Sequence, residues 1–366
     1  MANLSDISIQ LSQSAIVHHS LKTLEELEVD ILFSIACNKD QIYRSKCELF
    51  QEIQEIKINV IANNTNFGCI SSSNAGKKIN ILSTDAIKST ANDGELINCL
   101  QNSVVVSTSN VFAEIGAIRL GQLYERVPNT IFVMHDYDNH HWISNNLQVA
   151  IFSDVYAPSH QSDNLMASKV NPNILGGIPC GSNQWSMDFI KNFGEKNLLG
   201  KRSNMPLGKY FFYEKFLHRN KAINTLSQTY PEIAFVKQDF HLLSPEKKWQ
   251  EWSGHKLHWI IPVLNDLPIR FFDALITGGI PLIPSGLTPY VESLQIPKEF
   301  YATYGPLDIL NPKNLIEAQN HIFDSLGPSG ILGRHEFALR NFHVDVILDK
   351  LIGKTLELYQ IANKPR

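Results

Sequence analysis

Charge is scarce in this chain of 366 residues. Only 19% of them are charged, and 32 lysines and arginines stand against 36 aspartates and glutamates for a formal net charge of −4. So even a balance excludes a protein whose bulk charge grips nucleic acid or an anionic membrane. Cysteine is scarce too. The five present (Cys37, Cys47, Cys69, Cys99 and Cys180) are odd in number and scattered, and no Cys-x-x-Cys pair offers a zinc or dithiol site, which fits a reducing cytosol. Apolar runs long enough to cross a membrane and free of helix breakers are missing. The most tempting stretch, Ala274 to Val291, holds Gly278, Gly279, Pro281, Pro284, Gly286 and Pro289, which a lipid-facing helix would not choose. The opening MANLSDISIQ has neither the basic start nor the apolar run of a secretory signal, so a cytoplasmic location is expected.

What is present is a globular composition, 43% hydrophobic and 10% aromatic, on a length that suits two or three compact units. Short runs rich in β-branched residues alternate with longer amphipathic stretches, the pattern of βαβ units on a parallel sheet. The expected strands of the first half are Asp30–Ala36, Lys57–Ala62, Ile79–Leu82, Ser103–Ser107, Thr130–His135 and Val149–Phe152. After Trp185 the texture changes to the basic, glycine-containing FIKNFGEKNLLGKRSNMPLGK, which reads as an interdomain linker. The alternation then restarts, with strands at Lys209–Tyr213, Ile233–Lys237, Lys256–Ile261 and Ile280–Ile283. Between them the pattern predicts helices near Glu214–Thr229, Pro245–Ser253 and Pro268–Thr277. Arg334–Asn363 places apolar residues at helical spacing and is expected to return toward the first domain. The domains are therefore set at 1–195 and 205–345, with a C-terminal helix over 346–366.

The segment from His255 to Glu292, HKLHWIIPVLNDLPIRFFDALITGGIPLIPSGLTPYVE, carries the most information. A strand delivers Pro262 and a polar loop with Asn265 and Asp266. A helix then starts at Pro268, whose missing N–H would be unpaired there in any case. Arg270 falls in the first turn and Asp273 close to one turn later on the same side. A helix N-terminus beside the carboxyl end of a strand is an anion site, because free N–H groups and the macrodipole both favour negative charge. An arginine there can hold phosphate bidentately, and an aspartate can accept from ribose hydroxyls. The competing reading of Arg270 and Asp273 is an ordinary intrahelical ion pair.

PIRFFDALITGGIPLI resembles the nucleotide-sugar-binding signature of GT-B glycosyltransferases, an acidic residue and alanine on a helix, then glycine and a proline-bearing strand. AIFSDVYAPSHQSDNLMA (Ala150 to Ala167) and NILGGIPCGSNQW (Asn173 to Trp185) are similar to the end of the first domain in that superfamily. The resemblance covers about the last 200 residues. It implies an α/β protein of two Rossmann-like domains facing across a cleft, donor in the second and acceptor in the first. It puts Asp273 on the donor ribose and Arg270 beside the donor phosphates. Many retaining members carry a glutamate eight residues before the acidic position, where this chain has Asn265, so retention or inversion stays open.

In the first half TIFVMHDYDNHHW (Thr130 to Trp142) runs a buried strand into titratable positions, and four of the 13 histidines lie at His135, His140, His141 and His160. Sugar transfer needs a base for the acceptor hydroxyl or donors for the leaving phosphate, and Asp and His can serve as either. Asp136, Asp138, His140 and His141 are the catalytic candidates. A metal site and a purely structural role compete for the same cluster, the former weakened because no His-x-x-x-His spacing occurs. Arg219 and Lys221, after the first strand of the second domain, could offset donor phosphate charge without a metal, with a solvated helix face as the alternative. Lys237 could frame the donor.

The expectation is thus a cytoplasmic, metal-independent GT-B glycosyltransferase with no cofactor beyond its nucleotide-sugar co-substrate. Its acceptor would be a glycan or a lipid-linked glycan, by analogy in surface polysaccharide synthesis. Peripheral contact with the inner face of a membrane is an added partner expectation. An epimerase of the same fold and a catalytically silent nucleotide- or glycan-binding protein are the rivals.

Overall fold

The structure, a computed structural model, describes residues 29–53, 55–63, 67, 69–70, 73–74, 77–89, 93–116, 119–120, 123, 126–137, 149–160, 164–236, 243–264 and 266–359. The chain forms two compact units, 1–180 with 347–366, and 181–346.

The first unit is built on a six-stranded sheet: β1 (Lys57–Ala62), β2 (Ser73–Asn74), β3 (Lys77–Ser83), β4 (Ser103–Thr108), β5 (Thr130–Asp136) and β6 (Val155–Pro158). Their order is β2-β3-β1-β4-β5-β6, parallel throughout except for the β2–β3 hairpin. β4 and β5 are buried at every position. Helices on both faces of a parallel sheet demand this, and it is why these strands read as unbroken apolar runs. Helices α1 (Val29–Glu52), α2 (Thr84–Lys88), α3 (Asp93–Leu100) and α4 (Ser109–Ile115) accompany them.

Two expected strands are corrected. Asp30–Ala36 lies inside α1, where Lys39, Ile42, Lys46 and Phe50 are buried at spacings of three and four residues, which only a helix can bring to one face. Lys46 Nζ donates to Asp154 Oδ2 and to Thr130 O, each at 2.6 Å, and Lys39 Nζ to Ser153 O at 2.7 Å, so α1 is bolted to the amino ends of β5 and β6. Residues 149–152 are helical, and the strand begins only at Val155.

The second unit has strands β7 (Gly208–Tyr210), β8 (Ile233–Phe235), β9 (Leu257–Trp259), β10 (Ile280–Pro284) and β11 (Ala302–Tyr304). β8 pairs with β7, and β9-β10-β11 form a second parallel set. Leu207 joins the two, since its N donates to Leu257 O and its O accepts from Trp259 N at 2.9 and 2.8 Å. The strands therefore run β8-β7-β9-β10-β11. Counting parallel strands in chain order, both units have the doubly wound order 2-1-3-4-5, whose ligand crevice lies beyond the carboxyl ends of the first and third strands. The accompanying helices are α5 (Leu217–Ser227), α6 (Pro245–Ser253), α7 (Ile269–Ile276), α8 (Pro306–Leu310) and α9 (Lys313–Phe342). α9 is broken at Gly327, which adopts φ +52° just before Pro328.

The stretch read as a linker is instead folded into the second unit. Trp185, Phe189 and the Trp249 ring of α6 pack edge-on at 5.1 to 6.1 Å, and the division between the units falls at Cys180–Gly181 rather than between 195 and 205. Aromatics at that spacing make a buried anchor out of a segment whose charge and glycine suggested solvent. The last helix, α10 (Val344–Leu358), leads back to the first unit, where Tyr43 Oη donates to Leu358 O at 2.6 Å and the Tyr359 ring meets Tyr43 at 5.1 Å. Among the described residues no helix is long and apolar enough to cross a membrane.

Candidate functional site

The crevice position of the second unit lies between the ends of β7 and β9. β7 delivers Tyr210, whose hydroxyl donates to Trp259 O and accepts from Ile261 N at 3.1 Å, tying the two strand ends together. Burial pushes the Tyr210 phenol up to about 12, so its ring stays neutral. Two guanidinium groups sit against it, Arg219 from α5 at 4.9 Å and Arg270 from the first turn of α7 at 5.4 Å. Attraction to the ring quadrupole holds both cations there. Arg219 also lies 5.2 Å from the Tyr213 ring and donates from Nη1 to Phe211 O at 2.9 Å, with a longer bond from Nε to Ile261 O at 3.4 Å. It is 2% exposed and braces the two loops.

Arg270 is half-buried and, among the described residues, has no such carbonyls. Among the described residues neither guanidinium has a carboxylate at ion-pair distance. Burial pulls the Arg219 pKa down, with Arg270 adding to the effect. Pro268 precedes α7 as its N-cap, with no side-chain bond to the first turn. The helix end, with its positive dipole, and two arginines converge where an anion would lower the energy of the whole arrangement.

Asp273 is placed differently from its expected role. It is fully buried, its Oδ1 accepts from Ser182 Oγ at 2.5 Å, and its Oδ2 accepts from the Gln184 amide. Burial raises its carboxyl to about 7, opposed by those two bonds and by Arg270 and Lys248. Neither an ion pair with Arg270 nor an oxygen turned to solvent is found. Lys221, two residues beyond Arg219, is exposed, because a step of two on a helix points to another face. Lys237 and Asn265 lie outside the described residues.

The far end of α7 explains two more arginines. Arg202 Nη2 donates to Thr277 O at 2.7 Å, Arg334 Nε to Gly278 O at 3.0 Å, and the His335 ring meets Ile276 O. Three cationic or donor side chains thus satisfy the carbonyls that end the helix and oppose its negative pole.

In the first unit Asp136 ends β5. It is fully buried and accepts from Tyr156 Oη at 2.6 Å. Asp138, His140 and His141 lie outside the described residues. His135 is buried with Nε2 at 3.1 Å from Ile178 O and 3.3 Å from Ser159 Oγ, and burial lowers its pKa to about 4, so it is neutral. Beyond β1, Glu114 accepts from Lys88, Thr84 and Asn63 at 2.6 to 2.8 Å, which hold its carboxyl down to about 2. Among the described residues no cluster of His, Cys, Asp and Glu is placed to hold a metal.

Sequence reasoning missed Tyr210, the platform under both arginines, and the pairing of Ser182 and Gln184 with Asp273. Tyr210 lies in the expected strand Lys209–Tyr213, and Ser182 and Gln184 lie in NILGGIPCGSNQW, but Tyr210 meets Arg270 across 60 residues of sequence and Asp273 meets its two donors across 91 and 89.

No protein-family model and no curated protein matches the chain. Among solved structures it is similar to a sucrose-phosphate synthase from Thermosynechococcus elongatus, at 13% identity and a TM-score of 0.49, over 84% of this chain and all of that one. A likeness at that level says nothing of substrate. The chain's own topology defines its class, two doubly wound α/β units with an arginine-lined crevice in the second.

Proposed function

We propose that the protein is a GT-B-type glycosyltransferase that holds the diphosphate of a nucleotide sugar at the first turn of α7. The observation that carries this reading is Arg270, a half-buried cation with no acidic partner among the described residues, set on Tyr210 at the carboxyl ends of β7 and β9. Arg270 would take a phosphate bidentately. Arg219 would hold the crevice walls and add field, and the helix N-terminus would stabilise charge on the departing nucleoside diphosphate. A glycan or lipid-linked acceptor would be received by the first unit, and the reaction would need no metal on this reading. Surface polysaccharide synthesis, a cytoplasmic setting and peripheral membrane contact complete the proposal.

A second reading, a protein of this fold that binds nucleotide or glycan without turnover, draws on the burial of Asp136 and Asp273, neither of which offers a carboxylate to a substrate. Thermal-shift measurements with UDP, GDP, CMP, ADP and dTDP test the first step. A ligand at a hundred times its dissociation constant stabilises by about 2.7 kcal/mol. One of the five should do so for the wild type and not for Arg270→Ala. No shift with any of them would refute nucleotide-sugar binding. Donor binding without transfer across a broad acceptor panel would establish the second reading.

A further inference from the structure

The chain leaves the first unit at Cys180–Gly181 and returns at Val346–Ile347. Beside these two passages it is bonded to itself. Ser182 N donates to Phe342 O at 2.8 Å, and Val344 N donates to Ser182 O at 2.9 Å. The His343 ring lies 2.9 Å from Trp185 O and accepts at Nδ1 from Asp345 N at 3.2 Å. The outgoing strand carries a second tie, from the side chains of Ser182 and Gln184 to the two oxygens of Asp273. Asp273 stands in the middle of α7, one turn from Arg270.

We propose that Asp273 is a latch. It fastens segment 181–185 directly, and segment 342–345 through Ser182, to the helix that carries the anion site, so that occupancy at Arg270 and order in the two passages are coupled. The coupling rests on the functional reading above; the latch does not.

The chemistry gives the coupling a sign. Both donors to Asp273 are neutral, and among the described residues it has no ion-pair partner. Among the described residues the charged groups that face it are few. Arg270 on its own helix and Lys248 on α6 favour the ionised form. His343 lies behind Ser182 and is itself buried, with its pKa lowered. Arg334 and His335 of α9 attend the carboxyl end of α7, and His258 of β9 is buried and held neutral. With its carboxyl near 7, Asp273 populates both forms around neutrality. The ionised form accepts charge-assisted bonds from Ser182 and Gln184 together, whereas the protonated form donates from one oxygen to the Ser182 hydroxyl and keeps only weaker, neutral bonds. An anion bound at Arg270 cancels part of the field that keeps Asp273 ionised. It therefore favours the slack form, and by reciprocity protonation of Asp273 favours the anion.

Amide hydrogen exchange on the full chain tests this in two arms. Without ligand, Asp273→Ala should speed exchange at Ser182 and Val344 about tenfold, the loss of roughly one hydrogen bond, and leave the amides of β10 unchanged. Unchanged exchange at Ser182 and Val344 would overturn the latch. Should that variant fail to fold, Gln184→Ala must give a smaller rise at the same two amides, and no rise there would overturn it equally. In the second arm a saturating nucleoside diphosphate should speed exchange at those amides in the wild type and not in Asp273→Asn, which cannot titrate. Binding that leaves the wild-type amides unmoved would overturn the coupling. Failure of every diphosphate to bind would refute the coupling with the functional reading it rests on, and leave the latch to the first arm.

Discussion

The two ends of α7 use the same residue type to opposite effect. At its carboxyl end Arg334 is fully buried and spends its Nε on Gly278 O, while Arg202 bonds to His255 O, Leu198 O and Thr277 O. At its amino end Arg270 is half-buried and, among the described residues, its guanidinium is set on the face of Tyr210 with no carboxylate at ion-pair distance. Carbonyls at a helix C-terminus are a built-in counter-charge, so arginine there completes the fold. At an N-terminus the dipole repels a cation, so an arginine held there without a carboxylate costs stability that a bound anion would return. Arg219 stands between the cases, donating to Phe211 O and Ile261 O and sharing the Tyr210 ring with Arg270.

Substitutions sharpen that contrast. The largest effect is expected from Arg334→Ala, which strips a cap from α7 and a guanidinium from the Phe323 face. It should cost about 3 kcal/mol, read as a lowered Tm. Arg270→Ala should leave Tm nearly unchanged but weaken nucleoside diphosphate binding by about 2 kcal/mol, roughly thirtyfold in Kd. Equal stability losses at the two sites would break the comparison. Next comes pH. The folded carboxyl of Asp273 lies near 7 against an ordinary 3.8, so between those values the folded state keeps a proton that the unfolded chain has released. Its contribution to stability is therefore fully present below 3.8, declines as pH rises to 7, and is flat above. The difference between wild-type and Asp273→Asn unfolding curves across that range should show this slope, and a slope of opposite sign would contradict the burial that raises the group. Smallest of all, Lys221→Ala should change neither stability nor binding by more than about 0.5 kcal/mol, because the side chain is exposed on another face of α5 from Arg219.

The parts of the fold that could be read in the sequence are those where local pattern and burial agree. β4 and β5 hold continuous apolar runs, Val104–Val106 and Ile131–Met134, and β1 holds Val60–Ala62, because parallel strands are covered on both faces. Pro268, Arg270 and the paired glycines marked α7 and its limits by local chemistry alone. Misreadings arose where composition competed with period. ILFSIA in α1 is rich in strand formers, yet the buried faces of Lys39, Ile42, Lys46 and Phe50 repeat as a helix. Trp185 and Phe189 turned a basic, glycine-bearing stretch into part of a core through Trp249, a partner about 60 residues away. The site shows the same limit. Arg270 was found by spacing, but its platform Tyr210 and the donors that close over Asp273 are tertiary, and no local signal announces them.

The most direct test is calorimetric titration of the wild type, Arg270→Ala and Lys221→Ala with the nucleoside diphosphate that gives the largest thermal shift. Saturable binding by the wild type and Lys221→Ala, with a roughly thirtyfold loss in Arg270→Ala, is the predicted result. Equal affinity in all three proteins would contradict an anion site at the first turn of α7.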